Sequence, residues 1–276
     1  MPEQDVHIIV RQVGERTLAL CRSVLEKQAP ANVELISAVP FSETVRQAFE
    51  AGIKAGKKWT LCIDADVIPT ADCVNQLVTI AEQGEDRLFE AQGLVVDKIF
   101  GVRRPAGNHI YRTDLFEKAL TCLPANAGSL RPESDTLWSM VRLGHGWYQS
   151  DILVGIHDYG QSYTDIARKV MVQYHKFPQK RELMLARFKA LAPKDSDFRV
   201  ALAACEKAEH FAGTPQVDAK RLGLVAQNLL DEMKLAEKDV ATPEEQQMFE
   251  SVVPTYVGHP LTEAENGYIG PIKYHG

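Results

Sequence analysis

Short apolar runs alternate with amphipathic stretches at the start of the chain. Residues 6–10, 33–39 and 59–63 are rich in β-branched, leucine and aromatic side chains, the pattern of strands buried on both faces. Between the first two, Leu18, Cys21, Val24 and Leu25 share one helical face over residues 15–28, and Ala29-Pro30 ends that helix. Between the second and third, Pro40 turns the chain, Ser42 can cap a helix, and Val45, Ala48, Phe49 and Ile53 mark its buried face before Gly56. Strand-helix-strand-helix-strand with short connections predicts a parallel sheet with right-handed crossovers.

The pattern continues with a helix to about residue 83, carrying Val74, Leu77, Val78 and Ala81, then strands at 88–97, 100–104 and 109–112. Helices are expected from Thr113 to about 122 and from Pro132 to Gly144, with further strands at 147–149 and 152–156. From Ile166 onward strands disappear. Helices are predicted near 179–192, 196–212, 217–238 and 243–252, and the third is clearly amphipathic. The tail from Pro254, with Gly258, Pro260, Gly267, Gly270 and Pro271, reads as irregular or surface-wrapping. The character changes within 165–180, dividing an α/β part (1–175) from a helical part with an irregular tail (176–276).

The full chain has 276 residues and a formal net charge of −6, so it has no general attraction for nucleic acid or anionic membrane. Its five cysteines (Cys21, Cys62, Cys73, Cys122, Cys205) are scattered without metal-ligand spacing and read as reduced core thiols of a cytosolic protein. The polar N-terminus is no signal peptide, and no apolar run approaches the roughly 20 residues needed to span a bilayer. A cytoplasmic chain is expected, at most peripheral at the inner face of the membrane.

Chemistry concentrates where the third run ends, in Asp64-Ala65-Asp66. Residues two apart on an extended chain point the same way, so both carboxylates can aim at one object beyond the strand's carboxyl end, where open α/β sheets bind ligands. Paired carboxylates suit Mg²⁺ or Mn²⁺, hard cations that take oxygen ligands. A solvated acidic turn, with Thr70 or Asp72 capping the next helix, is the better explanation of the tripeptide when it is taken alone.

The order of features resembles a GT-A-fold glycosyltransferase, most like the inverting family 2 enzymes that use nucleotide-sugars. The resemblance covers roughly residues 5–175 and rests on four features. These are the βαβαβ opening, Asp64-Ala65-Asp66 followed by Val-Ile-Pro, Gly107-Asn108-His109-Ile110-Tyr111-Arg112 before a helix with Pro132-Glu133-Ser134-Asp135 opening another, and His157 near Gln161-Ser162-Tyr163. It implies an α/β fold of the nucleotide-diphospho-sugar transferase type: a Rossmann-like mixed sheet flanked by helices, with a C-terminal helical region. It further implies Asp66 as a ligand to Mn²⁺ or Mg²⁺, Asp64 contacting the metal or the donor ribose, and His157 joining the metal. An acid at the later helix start serves as base. The family has adjacent Glu-Asp there, whereas Ser134 separates Glu133 from Asp135 here, and Asp135 is the favoured of the two. N-capping and dipole compensation would also place acids at this point.

Arg11 and Arg112 are the remaining donor-binding candidates, since a guanidinium can meet phosphate. Arg168, Lys169, His175 and Lys176 can counter a diphosphate or simply form a solvated helix face. Trp138, Trp147, Tyr148 and Tyr163 can stack on sugar rings or pack the core. The implied partners are a nucleotide-sugar donor, uridine by family default and guanosine as the alternative, and a glycan or lipid-linked acceptor. The C-terminal helices offer a surface for a homo-oligomer. The chain also departs from the family: residues 37–43 after the second strand contain no Asp where the family has base-reading acids, and residues 11–15 replace the usual first turn. Two competing readings are a sugar nucleotidyltransferase, disfavoured by a first turn with one glycine, and a GT-A-like binding module without catalysis.

Overall fold

The computed structural model describes residues 5–125, 129–211, 219–256, 259–266 and 270–273. The chain opens with β1 (Val6–Arg11), α1 (Leu18–Gln28), β2 (Val33–Ile36), α2 (Phe41–Ala55) and β3 (Trp59–Asp64). As the apolar runs predict, β1 lies parallel between β2 and β3. Next come β4 (Val67–Pro69), α3 (Cys73–Glu82), β5 (Leu88–Asp97), β6 (Arg103–Arg104) and β7 (Asn108–Arg112). The α/β part continues through α4 (Phe116–Cys122), α5 (Pro132–Arg142), β8 (Gly146–His157) and α6 (Tyr163–Lys176). The remainder comprises α7 (Arg181–Leu191), α8 (Ser196–Glu209), α9 (Ala219–Met233), α10 (Pro243–Val252), α11 (Glu263–Asn266) and β9 (Gly270–Lys273).

Among the described residues one mixed sheet runs in the order β2-β1-β3-β7-β5-β8-β4, with β6 on β5 and β9 on β8. The antiparallel β7 joins the parallel β1–β3 unit to the parallel pair β5 and β8. The fold is therefore a mixed α/β sheet flanked by helices, in agreement with the expected class.

Local departures have local causes. Residues 100–102 form a tight turn instead of a strand: Phe100 N donates to Asp97 Oδ1 (2.8 Å) and Gly101 adopts φ 70°, leaving two residues to pair with β5. The two expected strands at 147–149 and 152–156 merge into β8, which absorbs the interruption as a register shift against β5. Helix α9 stops at Met233, short of the expected 238, where Lys234 turns at φ 52°. The expected helix limits at residue 212 and at 217–218 lie outside the described residues. The tail is not wholly irregular, because β9 returns to pair with β8.

Two apolar layers sandwich the sheet. One gathers Leu25, Leu61, Ile63, Val74 and Leu77 under α1 and α3. The other gathers Phe49, Phe89, Tyr111 and Phe116 under α2, α4 and α5. Helix α6 packs on α8 and α9 around Val170, Met171, Phe188 and Ala204, and Ile99 and Phe100 from the β5–β6 turn enter this core. Phe49 centres the aromatic group, stacked on Phe116 (4.5 Å) and edge-on to Tyr111 (5.4 Å) and Phe89 (6.4 Å). Replacing it with alanine leaves a cavity that three rings cannot collapse into. Phe49→Ala is expected to lower unfolding free energy by about 3–5 kcal/mol in urea denaturation.

Candidate active site

Parallel register sets the site. In parallel strands that end together, terminal residues are neighbours, so Arg11 falls opposite Asp64 and Asp97 opposite His157. These strand ends open into a cavity of about 400 Å³, within the range of small-molecule sites. Helices α5 and α6 form its walls, and Arg104 to Gly107 add a rim. Gly107 is required there: it adopts φ 59°, and a Cβ would lie 2.7 Å from Val67 Cγ2 and 3.3 Å from Asp64 Oδ2. Its carbonyl accepts from Asp64 N (2.9 Å), and Asn108 clamps β7 to β5 by exchanging hydrogen bonds with the Gly93 backbone (2.8 and 3.1 Å).

Two charge clusters face this space. In the first, Arg11 Nε donates to Asp64 Oδ1 at 2.7 Å, and its guanidinium also pairs with Glu133. Tyr111 OH donates to Glu133 Oε1 (3.1 Å), His109 Nε2 lies 3.3 Å from Glu133 Oε2, and His109 Nδ1 meets Glu90 (2.9 Å). Burial works against the Glu133 carboxylate, but Arg11 and His109 outweigh it and hold its pKa down at about 2. Burial raises Glu90, and Glu133 and Glu90 together raise His109 against the burial that opposes its charge.

The second cluster contains Asp66, His157 and Asp158, whose potential ligand atoms all lie within 4.8 Å of one another. Lys169 reaches in from α6 and pairs with both Asp66 and Asp158. Behind His157, Nδ1 lies 2.9 Å from Asp97 Oδ2, and Asp97 also accepts from Arg104 Nε (2.8 Å). Burial opposes charge on His157, yet Asp158 and Asp66 raise its pKa to about 10. Asp66 is held below the usual carboxylate range, with Lys169 and His157 overcoming burial, whereas burial leaves Asp64 raised.

The donor set fits a hard divalent cation. Asp66 Oδ1 is buried and has no hydrogen-bond partner, while the Asp97 contact at Nδ1 leaves His157 Nε2 turned toward it at 3.5 Å. Two carboxylates and one imidazole are ligands that Mn²⁺ accepts.

Asp64 and Asp66 both line the cavity, but they belong to different clusters. Strand β3 ends at Asp64, and the chain then turns, with Ala65 N donating to Arg11 O (2.9 Å). His157 and Arg11 both line the cavity. Arg112 does not reach the site. Because β7 runs antiparallel to β3, Asn108 pairs near Asp64 while Arg112 pairs with Trp59 at the far end, over that indole at 5.1 Å. Of the two acids opening α5, Glu133 lines the cavity, whereas Asp135 is exposed, accepts from Ser129 Oγ (2.6 Å) and is not part of the lining. Trp138 and Trp147 meet edge to face (5.7 Å) at the cavity wall.

Asp158, Asp97, Glu90 and His109 were not singled out by sequence. Asp158 was the most accessible of them, standing directly after His157 at a strand end. Its φ of 64° is what turns the carboxylate back toward Asp66, and no pattern shows that.

No protein-family model and no curated protein matches the chain. Solved structures similar to it include a mannosyltransferase from Pyrobaculum calidifontis in complex with GDP-mannose and Mn²⁺, 12% identical, covering 96% of this chain and 82% of that one with a TM-score of 0.41. S. aureus TarS 1–349 is 11% identical over 88% of this chain and 82% of its own, with a TM-score of 0.41. A glycosyltransferase involved in glycosylation of the major capsid of PBCV-1 is 14% identical over 56% and 93%, with a TM-score of 0.40. Similarity at this level assigns no activity.

Because its folded pKa is depressed, Glu133 contributes stability that is full above its ordinary value of 4.5 and lost as pH falls toward about 2. Glu133→Gln should therefore show a shallower loss of stability than the wild type across that window, read by urea denaturation at stepped pH.

Proposed function

We propose that the chain is a metal-dependent glycosyltransferase that moves a sugar from a nucleoside-diphosphate donor to a hydroxyl acceptor with inversion, in the synthesis of a surface glycan. The observation that carries this reading is the division of one cavity between a cation-binding set (Asp66, His157, Asp158) and a carboxylate on the facing helix, Glu133. A divalent cation held by Asp66, His157 and Asp158 would supply Lewis-acid stabilisation of the leaving diphosphate. Lys169, already within reach of the same carboxylates, adds positive charge on that side.

Inversion needs a single displacement, in which the acceptor oxygen bonds the anomeric carbon as the bond to the diphosphate breaks, and the hydroxyl proton passes to a base. Glu133 is the base this reading favours, because it faces the cavity as a carboxylate fixed by Arg11, Tyr111 and His109. Asp64, tied to Arg11, is the residue for the donor ribose. Val13, Val39 and Phe41 line the cavity beyond it, an apolar place for the base, uridine or guanosine. The absence of aspartate in residues 37–43 fits recognition there by stacking and backbone groups. A glycan or lipid-linked acceptor would enter on the α5–α6 side. No helix among the described residues is long and apolar enough to cross a membrane.

Thermal denaturation with UDP, GDP, CDP or dTDP, in Mn²⁺, Mg²⁺ or EDTA, tests donor binding. A ligand at a hundred times its dissociation constant adds ~2.7 kcal/mol, which moves the midpoint of a domain this size by about 5–10 °C. One nucleotide with metal should give that shift and Asp66→Ala should abolish it; no shift with any of them rejects the reading. For the base, Glu133→Gln should retain the shift while transfer falls by about 10²–10⁴-fold, with Asp135→Asn within a few-fold of wild type. The reverse ranking would move the base to Asp135.

A further inference from the structure

One wall of the cavity carries more positive charge than the second cluster uses. Phe100 and Phe177 meet edge to face at 5.9 Å, and cations cover both rings. Arg104 lies over Phe100 (4.9 Å), and Arg131 (4.8 Å) and Lys176 (5.7 Å) lie over Phe177. Arg104 is neutralised by Asp97. Among the described residues, Arg131 and Lys176 have no carboxylate partner, in a protein whose net charge is −6. Lys176 is half-buried, and burial together with Arg104 and Arg131 lowers its pKa to about 8. Two unneutralised cations beside a guanidinium held by a single carboxylate gain most from an anion that all three can share.

Arg104 is joined to the cation-binding set through Asp97, and the other two cations lie beyond it. Lys176 follows Lys169 by two turns of α6, about 10 Å along the axis, and Arg131 stands immediately before α5, whose first turn carries Glu133 in the same cavity wall. An anion gathered here sits on the side of the base. We propose that Arg104, Arg131 and Lys176 form a phosphate-binding site and that the acceptor carries a phosphate group which docks there. The acceptor assignment rests on the transferase reading above, whereas the phosphate site does not.

Calorimetric titration with inorganic phosphate, in EDTA at fixed ionic strength, addresses the site without metal or nucleotide. Saturable binding is expected, weakened at least tenfold in Lys176→Met and several-fold in Arg131→Gln, whose exposed side chain can be changed without disturbing the fold. Equal affinity in both variants, or no saturable binding, overturns the site. Repeating the titration on protein saturated with Mn²⁺ and its nucleoside diphosphate distinguishes the ligand. Unchanged phosphate affinity supports an acceptor phosphate, and competition means that the cluster holds the donor's own diphosphate, which overturns the acceptor assignment. A hexose 1-phosphate and a short prenyl phosphate, compared in the same format, separate a sugar-borne from a lipid-borne group by which binds tighter. Phosphate binding in a protein that binds no nucleotide would leave the site standing and reject the transferase reading.

Discussion

The Arg11 guanidinium is the contact on which the site depends. It is almost fully buried, and a buried charge stripped of its partners costs several kcal/mol. Its two partners come from different places, Asp64 at the end of β3 and Glu133 at the start of α5, so one side chain fixes a strand end against a helix on the far side of the cavity. Tyr111 and His109, side by side on β7 and its neighbour β5 through Glu90, complete the same constraint. The carboxylate that faces the cavity is thereby held in one place and one charge state. The position of that carboxylate comes from electrostatics.

The second cluster follows the same rule with the signs exchanged. Asp66, Asp97 and Asp158 converge from three strand ends, an arrangement that self-repulsion would disperse if His157, Lys169 and Arg104 were not interleaved with it. Acids and bases alternate from Arg104 to Asp97, His157, Asp66 and Lys169. The chain of contacts crosses from the sheet to α6, so a helix that also packs on α8 and α9 contributes directly to a site whose acids stand at strand ends.

The sequence made the strand ends legible and the partners of those ends obscure. Three apolar runs located β1, β2 and β3, and two acids after the third run located Asp64 and Asp66. His157 emerged because a strand pattern preceded it. Asp97 stands at the end of a strand that was also predicted, yet only the parallel register of β5 with β8 makes it a neighbour of His157. Arg112 was misplaced for the converse reason: its strand was expected, but the direction of that strand was not. The sequence favoured Asp135 over Glu133, whereas Glu133 is the one that lines the cavity, since the choice depends on which face of α5's first turn meets it. Register, strand direction and helix phase are properties of pairing between segments, and a single segment carries little record of them.

Strand β8 shows how late one part of the sheet is completed. Its outer edge is covered in two instalments, β4 over residues 155–157 and β9 over 147–149. During synthesis the first cover is already made when β8 emerges, but the second is not. Residue 273 follows residue 147 by 126 positions, roughly 6–25 s at ~5–20 residues per second. Throughout that interval the Trp147–Gln149 edge presents unpaired backbone groups able to recruit another nascent chain. The register shift between β5 and β8 and the exposed charge of Asp151 in the same strand make such recruitment unfavourable.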